Sequence, residues 1–316
     1  ASDGTTQEVT ITLTGANDVS SIGGTSTGAM TEDDGTTPSG TLTISDADDG
    51  ESPSFATDVT STATDSGYGT YTLTSGTWAF TAGSTMQGLD ASEVVTDTFT
   101  VTASDGTTQE VTITLTGAND APVFSDGGSA SVSVEEGTTT VATYAATDAD
   151  DSAVVTYSVS GGADSTLFSV VSTTGALSFS TAPDYDLEDA CAAGNSCVVE
   201  LTASDTAATD TITVTIAITD ANDNAPVFSG YPLNGCSGYC STDSASVEEG
   251  ATTVGTYKAT DADVTTAHNT LTDEITGGAD ETLFSVVSTT GAISFSTAPD
   301  YDSGSACAAG NTCVVE

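Results

Sequence analysis

Positive charge is almost absent from this chain. Its 316 residues include one lysine (Lys258), no arginine and one histidine (His268) against 46 acidic residues, a formal net charge of −45. Nucleic acid and anionic membranes are excluded as partners on that ground, because neutralising phosphates or headgroups takes clusters of Lys and Arg. Phosphate-handling enzymes are disfavoured for the same reason. Long apolar runs are lacking too, so no segment approaches the 18 or so residues of a membrane-spanning helix. Residues 1–14 have no basic start and apolar stretch of an export signal, so the chain reads as a mature segment whose signal, if any, lies elsewhere. Helix patterning is also missing: no stretch combines helix formers with a 3.6-residue apolar period. What is present argues for order. Hydrophobic residues make up 37% of the chain and alternate along it, which a disordered acidic tail does not do. An ordered chain this acidic needs something to neutralise its carboxylates, and a divalent cation is the first candidate.

The sequence repeats itself. Residues 1–18 (ASDGTTQEVTITLTGAND) recur letter for letter at 103–120, and residues 163–200 recur nearly unchanged at 279–316. Periods of about a hundred residues are whole domains rather than solenoid turns. The boundaries fall after Asn17-Asp18, after Asn119-Asp120 and at 220–224 (DANDN). This divides the chain into a first segment, 1–18, and units 19–120, 121–224 and 225–316. Within each unit, apolar residues and Thr alternate with period two at 9–14, 70–74, 111–116, 154–159, 177–179 and 211–218, with Gly, Asp, Ser and Pro between them. Such runs are half-buried strands, and their pace indicates an all-β array of immunoglobulin-like sandwiches with one interior per unit. Trp78, with Phe80, Phe99 and Val101, reads as core of the first unit.

The six cysteines fall as close pairs, Cys191/Cys197, Cys236/Cys240 and Cys307/Cys313. Zinc would need four converging nitrogen or sulfur ligands, and no histidine lies near. Local disulfides are the reading, with buried thiols the alternative, and disulfides imply an extracytoplasmic setting. Residues 24–28 (GTSTG) fit the G-x-S-x-G pattern of serine hydrolases. They sit in a Gly/Ser/Thr loop without the strand, helix and base that such an elbow requires, and 46 carboxylates make chance acid pairs uninformative. The chain is read as having no catalytic constellation.

The acidic motifs carry a resemblance. Residues 121–224 and 225–316 resemble cadherin-type repeats. The linker 220–228 (DANDNAPVF) matches the D-x-N-D-N-x-P-x-F signature, and around it sit 134–137 (VEEG), 148–150 (DAD), 184–186 (DYD) and 203–205 (ASD). The second copy has Glu248 and Glu249, 261–263 (DAD), Asn269 and 300–302 (DYD). The third position of 184–186 holds Asp where that family usually has Glu, and the middle one has Tyr where Arg is common. Residues 19–120 resemble instead the VCBS repeat of large bacterial surface proteins, through 31–35 (TEDDG), 39–43 (SGTLT), 45–50 (SDADDG), 76–80 (GTWAF), 95–99 (VTDTF) and 117–122 (GANDAP).

The resemblance implies calcium, several ions clustered at the domain junctions. Ca²⁺ takes six to eight oxygen ligands, and no local run here supplies them. The loop at Asp46, for one, has Gly50 at the third ligand place of an EF-hand and Thr57 at the closing Glu place. For the later junction the implied set is Glu136, Asp184, Asp186, Asp220, Asn222, Asp223, Asn224, Asp261, Asp263 and Asn269. For the earlier one it is Asn119, Asp120, Asp148, Asp150 and Asp205, with Glu32 in support. Asp46, Asp48 and Asp105 are further candidates in the first unit. A solvated loop would not pack like charges into one linker.

The function this implies is a calcium-rigidified structural or adhesive repeat protein at the cell surface, forming a stalk or a head-to-tail filament with copies of itself. Two other classes stay open. The exposed Thr arrays at Thr10, Thr12 and Thr14 could contact glycans, and the chain could be the stalk of a larger secreted enzyme. The segment 1–18 has the pattern of the last strand of a unit, and residues 225–316 lack one. Hence Val9, Ile11 and Leu13 are expected to pack against a 225–316 unit of an adjacent copy or of further repeats of one chain. That would bring Asn17 and Asp18 to Glu249, Asp300 and Asp302.

Overall fold

A computed structural model describes all residues except 1, 3, 49, 188–189, 229–243 and 305. The first unit holds β1 (Ser21–Gly24), β2 (Thr27–Thr31), β3 (Ser39–Ser45), β4 (Val59–Ala63), β5 (Gly69–Thr74), β6 (Thr77–Ala82), β7 (Val94–Thr102) and β8 (Thr108–Thr116). They form two sheets, β1-β3-β6-β5-β4 and β2-β8-β7, with β2 parallel to β8. Each long strand alternates buried and exposed positions, as β7 and β8 show, because side chains on a pleat point to opposite faces. Trp78, Phe80, Phe99, Val111, Ile113 and Leu115 fill the space between the sheets. Trp78 is fully buried with its indole N–H donating to Thr25 O at 2.7 Å. Gly40 is required beside it, since a Cβ there would stand 2.8 Å from the indole ring.

The second unit holds β9 (Val123–Phe124), β10 (Ser129–Glu135), β11 (Thr140–Thr143), β12 (Ala146–Thr147), β13 (Thr156–Gly161), β14 (Phe168–Val170), β15 (Ala176–Phe179), β16 (Ser196–Ser204) and β17 (Thr209–Thr219). The sheet β10-β17-β16-β13 faces β11-β15-β14, and a short β9-β12 ladder closes one end. Again the first strand runs parallel to the last: β10 pairs with β17 from Ser129↔Thr213 to Glu135↔Thr219. Cys197, Val199, Leu201, Ile212, Val214 and Ile216 are fully buried.

The third unit holds β18 (Val227–Phe228), β19 (Thr253–Thr256), β20 (Ala259–Thr260), β21 (Phe284–Val287) and β22 (Ala292–Phe295), as sheets β18-β20 and β19-β22-β21. Among the described residues its strands are the counterparts of β9, β11, β12, β14 and β15 of the second unit. The architecture is all-β, a tandem array of sandwich repeats, and no described helix is long and apolar enough to cross a membrane.

One strand expectation needs correction. The run at 154–159 forms a strand two residues later, as β13. Residues 9–14 join no ladder among the described residues, and Val9, Ile11 and Leu13 are 73%, 78% and 91% exposed. A strand pattern becomes a strand only where a sheet edge accepts it. Disulfides join Cys191 to Cys197 and Cys307 to Cys313; Cys236 and Cys240 lie outside the described residues. Ser26, the centre of the G-x-S-x-G match, sits in the two-residue step between β1 and β2, its carbonyl accepting from Thr112 N–H at 3.0 Å.

Candidate metal centres at the junctions

The two junctions share three parts, and the later one adds a fourth. The first is a glutamate just past the parallel strand. Glu32 and Glu136 are both buried, and their N–H groups donate to Thr116 O at 2.8 Å and Thr219 O at 3.0 Å, the last carbonyls of β8 and β17. Each carboxylate then accepts from the linker: Ala118 N–H reaches Glu32 Oε2 at 3.0 Å, and Ala221 N–H reaches Glu136 Oε1 at 2.8 Å. The second part is the Asp-x-Asp turn of the following unit. Asp150 N–H donates to Asp148 Oδ1 and Asp263 N–H to Asp261 Oδ1, each at 3.1 Å. The third is the linker, whose backbone docks on that turn. Asp120 N–H donates to Asp150 Oδ2 at 3.1 Å and Asn224 N–H to Asp263 Oδ1 at 3.2 Å. The fourth is a loop from the preceding unit at the later junction, Asp184–Asp186, where Asp186 N–H donates to Asp184 Oδ1 and Tyr185 N–H to Glu136 Oε2.

At the later junction these parts converge. Single carboxylate oxygens of Glu136, Asp186 and Asp220 lie within 4.8 Å of one another, and so do those of Asp186, Asp223 and Asp263. Asn224 Nδ2 stands between, donating to Asp186 Oδ2 at 2.6 Å and to Asp263 Oδ1 and Asp223 Oδ1 at 3.0 Å. Asp186 also crosses the junction, accepting from Val264 N–H at 3.0 Å. Asp220 holds Thr265 Oγ1 and His268 Nδ1, the latter at 2.6 Å. Burial, and then the charges of Glu136, Asp220 and Asp263, push the Asp186 carboxyl above its usual range, against the Val264 hydrogen bond.

The earlier junction is looser in carboxylates and richer in direct contacts. Among the described residues no three acids there meet within 4.8 Å. Instead Asp90 accepts Ser152 N–H at 2.9 Å and Ser152 Oγ–H at 2.5 Å, and Asp151 N–H donates to Gly88 O at 3.2 Å. Gln87 spans Glu32 and Asp33 at 2.9 and 3.2 Å. Asn119 Nδ2 donates to Asp205 Oδ2 at 2.8 Å, while Ala208 and Ala207 N–H groups hold Asp205 and lower its pKa. Burial first, and neighbouring negative charge second, raise Glu32, Asp120 and Asp150.

A cation fits this chemistry. Asp120 Oδ2, Asp148 Oδ2, Asp150 Oδ1, Asp220 Oδ1 and Asp263 Oδ2 are buried carboxylate oxygens without a hydrogen-bond partner. An unpaired buried anion is costly. At 4.8 Å, two carboxylates repel by roughly 3 kcal/mol at an effective dielectric of about 20. The sequence has no arginine and one lysine to offset this. Hard oxygen donors are the ligand set Ca²⁺ prefers.

Elsewhere the named candidates are more scattered. Asn222 is exposed, and Asn269 turns its amide to Val264 O at 3.1 Å. In the first unit Asp46 and Asp48 come within 4.8 Å of Glu51, a residue the sequence reading passed over although it lies five places from Asp46. Asp18 N–H donates to Asp48 Oδ2 at 2.7 Å, and Ser20 N–H to Asp105 Oδ2 at 2.7 Å, holding the Asp105 carboxyl down at about 2. Asn17 Nδ2 donates to Asp18 O. At the far end Tyr301 N–H donates to Glu249 Oε2 at 3.2 Å and Asp302 N–H to Asp300 Oδ1 at 3.0 Å. Gln87, Asp33 and Thr265 were also missed, since neutral and loop positions carry no spacing signal.

The fold is that of cadherin extracellular domains. A structure titled protocadherin gamma B2 extracellular cadherin domains 3–6 is similar with a TM-score of 0.58 at 20% identity, over 90% of this chain and 70% of that one. Human CDH23 EC21-23 gives 0.53 at 18%, over 87% and 89%. The human desmocollin-1 ectodomain gives 0.53 at 16%, over 91% and 58%. No family model matches the chain, and no curated protein matches it in sequence.

Proposed function

We propose that the chain is a structural and adhesive extracellular repeat protein whose inter-unit junctions are stiffened by bound Ca²⁺. In this reading it is part of a bacterial surface adhesin or fibre, it is not an enzyme, and its first unit is of VCBS type. The units are 19–120, 121–224 and 225–316. The observation that carries the reading is the set of buried, unpartnered carboxylate oxygens at both junctions, on the linkers and on the Asp-x-Asp turns. At the later junction Glu136, Asp186, Asp220, Asp223 and Asp263 would hold the ions, with Asp184, Asn222, Asn224, Asp261 and Asn269 as further donors. At the earlier one Glu32, Asn119, Asp120, Asp148, Asp150 and Asp205 would do so.

Bound calcium supplies charge neutralisation and a multi-ligand bridge between sandwiches. The protein's own part is to present the ligands: Glu136 is pinned by two N–H groups, and the linker backbone is docked on the Asp-x-Asp turn. The disulfides and the fold support an extracellular location. Motion between units is the default without such a bridge. Small-angle scattering with calcium and with EGTA tests this directly. The particle should bend and its mean dimension shrink on chelation, more at the later junction than at the earlier one, where Asp90 and Ser152 join the units directly. Unchanged scattering, with no calcium taken up in calorimetry, would sink the proposal.

A further inference from the structure

A disulfide loop stands behind the carboxylates of the later junction. Cys191 and Cys197 close it. The buried Asp164 grips both ends, accepting from Ala192 and Val198 N–H at 2.6 and 2.7 Å. Across the loop, Gly194 N–H donates to Cys191 O at 3.0 Å and Cys191 N–H to Gly194 O at 2.8 Å. Asn195 is therefore presented in one place. Its carbonyl accepts from Ile218 N–H at 2.9 Å, one residue before Thr219, whose own carbonyl anchors Glu136.

The Asn195 side chain meets the loop that carries the ligands. Its Nδ2 donates to Tyr185 O at 2.9 Å, while the N–H of the same Tyr185 donates to Glu136 Oε2. Pro183 O accepts from Gly137 N–H at 3.0 Å. Tyr185, between Asp184 and Asp186, is thus held through both of its peptide groups, by Asn195 on one side and by Glu136 on the other. The third unit repeats these links. Asn311 Nδ2 reaches Tyr301 O and Tyr301 N–H reaches Glu249 Oε2, each at 3.2 Å, and Gly250 N–H reaches Pro299 O at 2.9 Å. The first unit is built otherwise. Residues 19–120 contain no cysteine, and Glu32 takes Gln87 Nε2 at 2.9 Å in place of a second backbone N–H.

We infer that Asn195 is a positioning residue of the later junction and that the Cys191–Cys197 loop is its brace. The inference rests on the calcium reading and adds to it, since Asn195 touches no cation and acts through the Tyr185 peptide. Its amide has to present nitrogen to Tyr185, because a carbonyl accepts and cannot donate. Like charges favour spreading the Glu136 and Asp186 carboxylates apart, and only a backbone held in advance keeps them near one another. Without that hold, each binding event must also order the loop, which weakens binding. The disulfide restricts the loop that presents Asn195, and Asp164 fixes its two ends. Partners that orient a ligand from behind in this way are worth about 10–100-fold in metal affinity.

The test is hydrogen exchange of the 316-residue chain, read by mass spectrometry across a calcium titration. In EGTA, Asn195→Ala should speed exchange at Tyr185. The calcium that half-protects the Tyr185, Ala221 and Asn224 amides should rise about tenfold or more in that variant. At the Asp120 and Asp150 amides it should stay where the parent has it. Asp148, Asp150 and Asp205 belong to the same second unit, so a general loosening of that unit would move both junctions. Cys191→Ala with Cys197→Ala should shift the later junction in the same direction, and Cys307→Ala with Cys313→Ala should shift neither. An Asn195→Ala chain with the parent's calcium dependence at the later junction, or with equal shifts at both, overturns this inference alone. A parent chain that gains no protection from calcium at the later junction overturns the calcium reading and this inference together.

Discussion

Residues 163–200 and 279–316 have nearly the same sequence and the same local shapes, yet they hold different amounts of core. Each has a 3₁₀ turn (Ser165–Leu167 and Glu281–Leu283) leading into a hairpin. Each packs two phenylalanines in a tilted pair, Phe168 against Phe179 at 4.4 Å and Phe284 against Phe295 at 4.5 Å between ring centroids. Each uses one buried aspartate to clamp its disulfide loop. Asp164 accepts from Ala192 and Val198 N–H at 2.6 and 2.7 Å, and Asp280 from Ala308 and Val314 at 2.6 and 2.8 Å. Burial is where they part. Phe168, Leu177, Phe179 and Cys197 are 7% exposed or less, whereas Phe284, Ile293, Phe295 and Cys313 are only half-buried. Turns, hairpin and clamp are thus set within about forty residues. How deeply the shared residues are buried is set by what packs on them from outside that stretch.

The sharpest way to break this comparison uses the identical strands. Ile113→Ala removes a fully buried side chain and should cost about 2–5 kcal/mol in denaturant unfolding of the first unit. Ile11→Ala changes the same residue in the same sequence and should shift that transition by under about 0.5 kcal/mol. Equal effects would mean that residues 9–14 are packed in the isolated chain.

A smaller effect is expected at the disulfides. Replacing Cys191 and Cys197 by Ala opens a loop with a sequence separation of 6, worth about 2 kcal/mol by chain entropy, and leaves a void at the fully buried Cys197. The same replacement at Cys307 and Cys313 should cost less, since Cys313 loses less packing. Thermal unfolding of the two double variants gives the ranking, and a larger loss in the third unit would contradict it.

The smallest effect is in pH. Glu32, Asp120, Asp150 and Asp186 have carboxyls raised above their usual range, by burial first. A raised carboxyl keeps in the folded state a proton that the unfolded chain releases. Its contribution is therefore present below the unfolded value and lost as the pH rises through the folded one. In EGTA the melting temperature should fall from mildly acidic to neutral pH, and Glu32→Gln should flatten that slope. Asp105, held at about 2 by Ser20 and Thr107 N–H groups, acts oppositely and is lost only as the pH drops through about 2. With calcium bound the slope should reverse, since protons then compete with the cation. A melting temperature that climbs with pH in EGTA would refute the assignment.

Much of this was legible in the residues. Period-two alternation located β5, β8, β15 and β17, because a pleated strand with one wet face must alternate. The Cys191/Cys197 spacing gave its loop, and repeated Asp-Asn motifs marked the junctions. The same signals misplaced β13 by two residues, since register there is fixed by β16. Gln87, Ser152 and Thr265 carried no signal, because a neutral side chain at a junction is ordinary in sequence.

The chain's own letters determined the class of fold, the repeat boundaries and the excess of negative charge that demands a counterion, since all three follow from composition and local periodicity. Only the tertiary structure decided which acids meet. Glu136 and Asp263 come from different units and are brought to one linker by the register of β10 on β17 and by the docking of Asn224 on the Asp261–Asp263 turn. It also decided that the two junctions differ, one drawing carboxylates together and the other joined by Asp90 and Ser152. Distances of a few ångströms between residues far apart in sequence are set by packing, which no local pattern encodes.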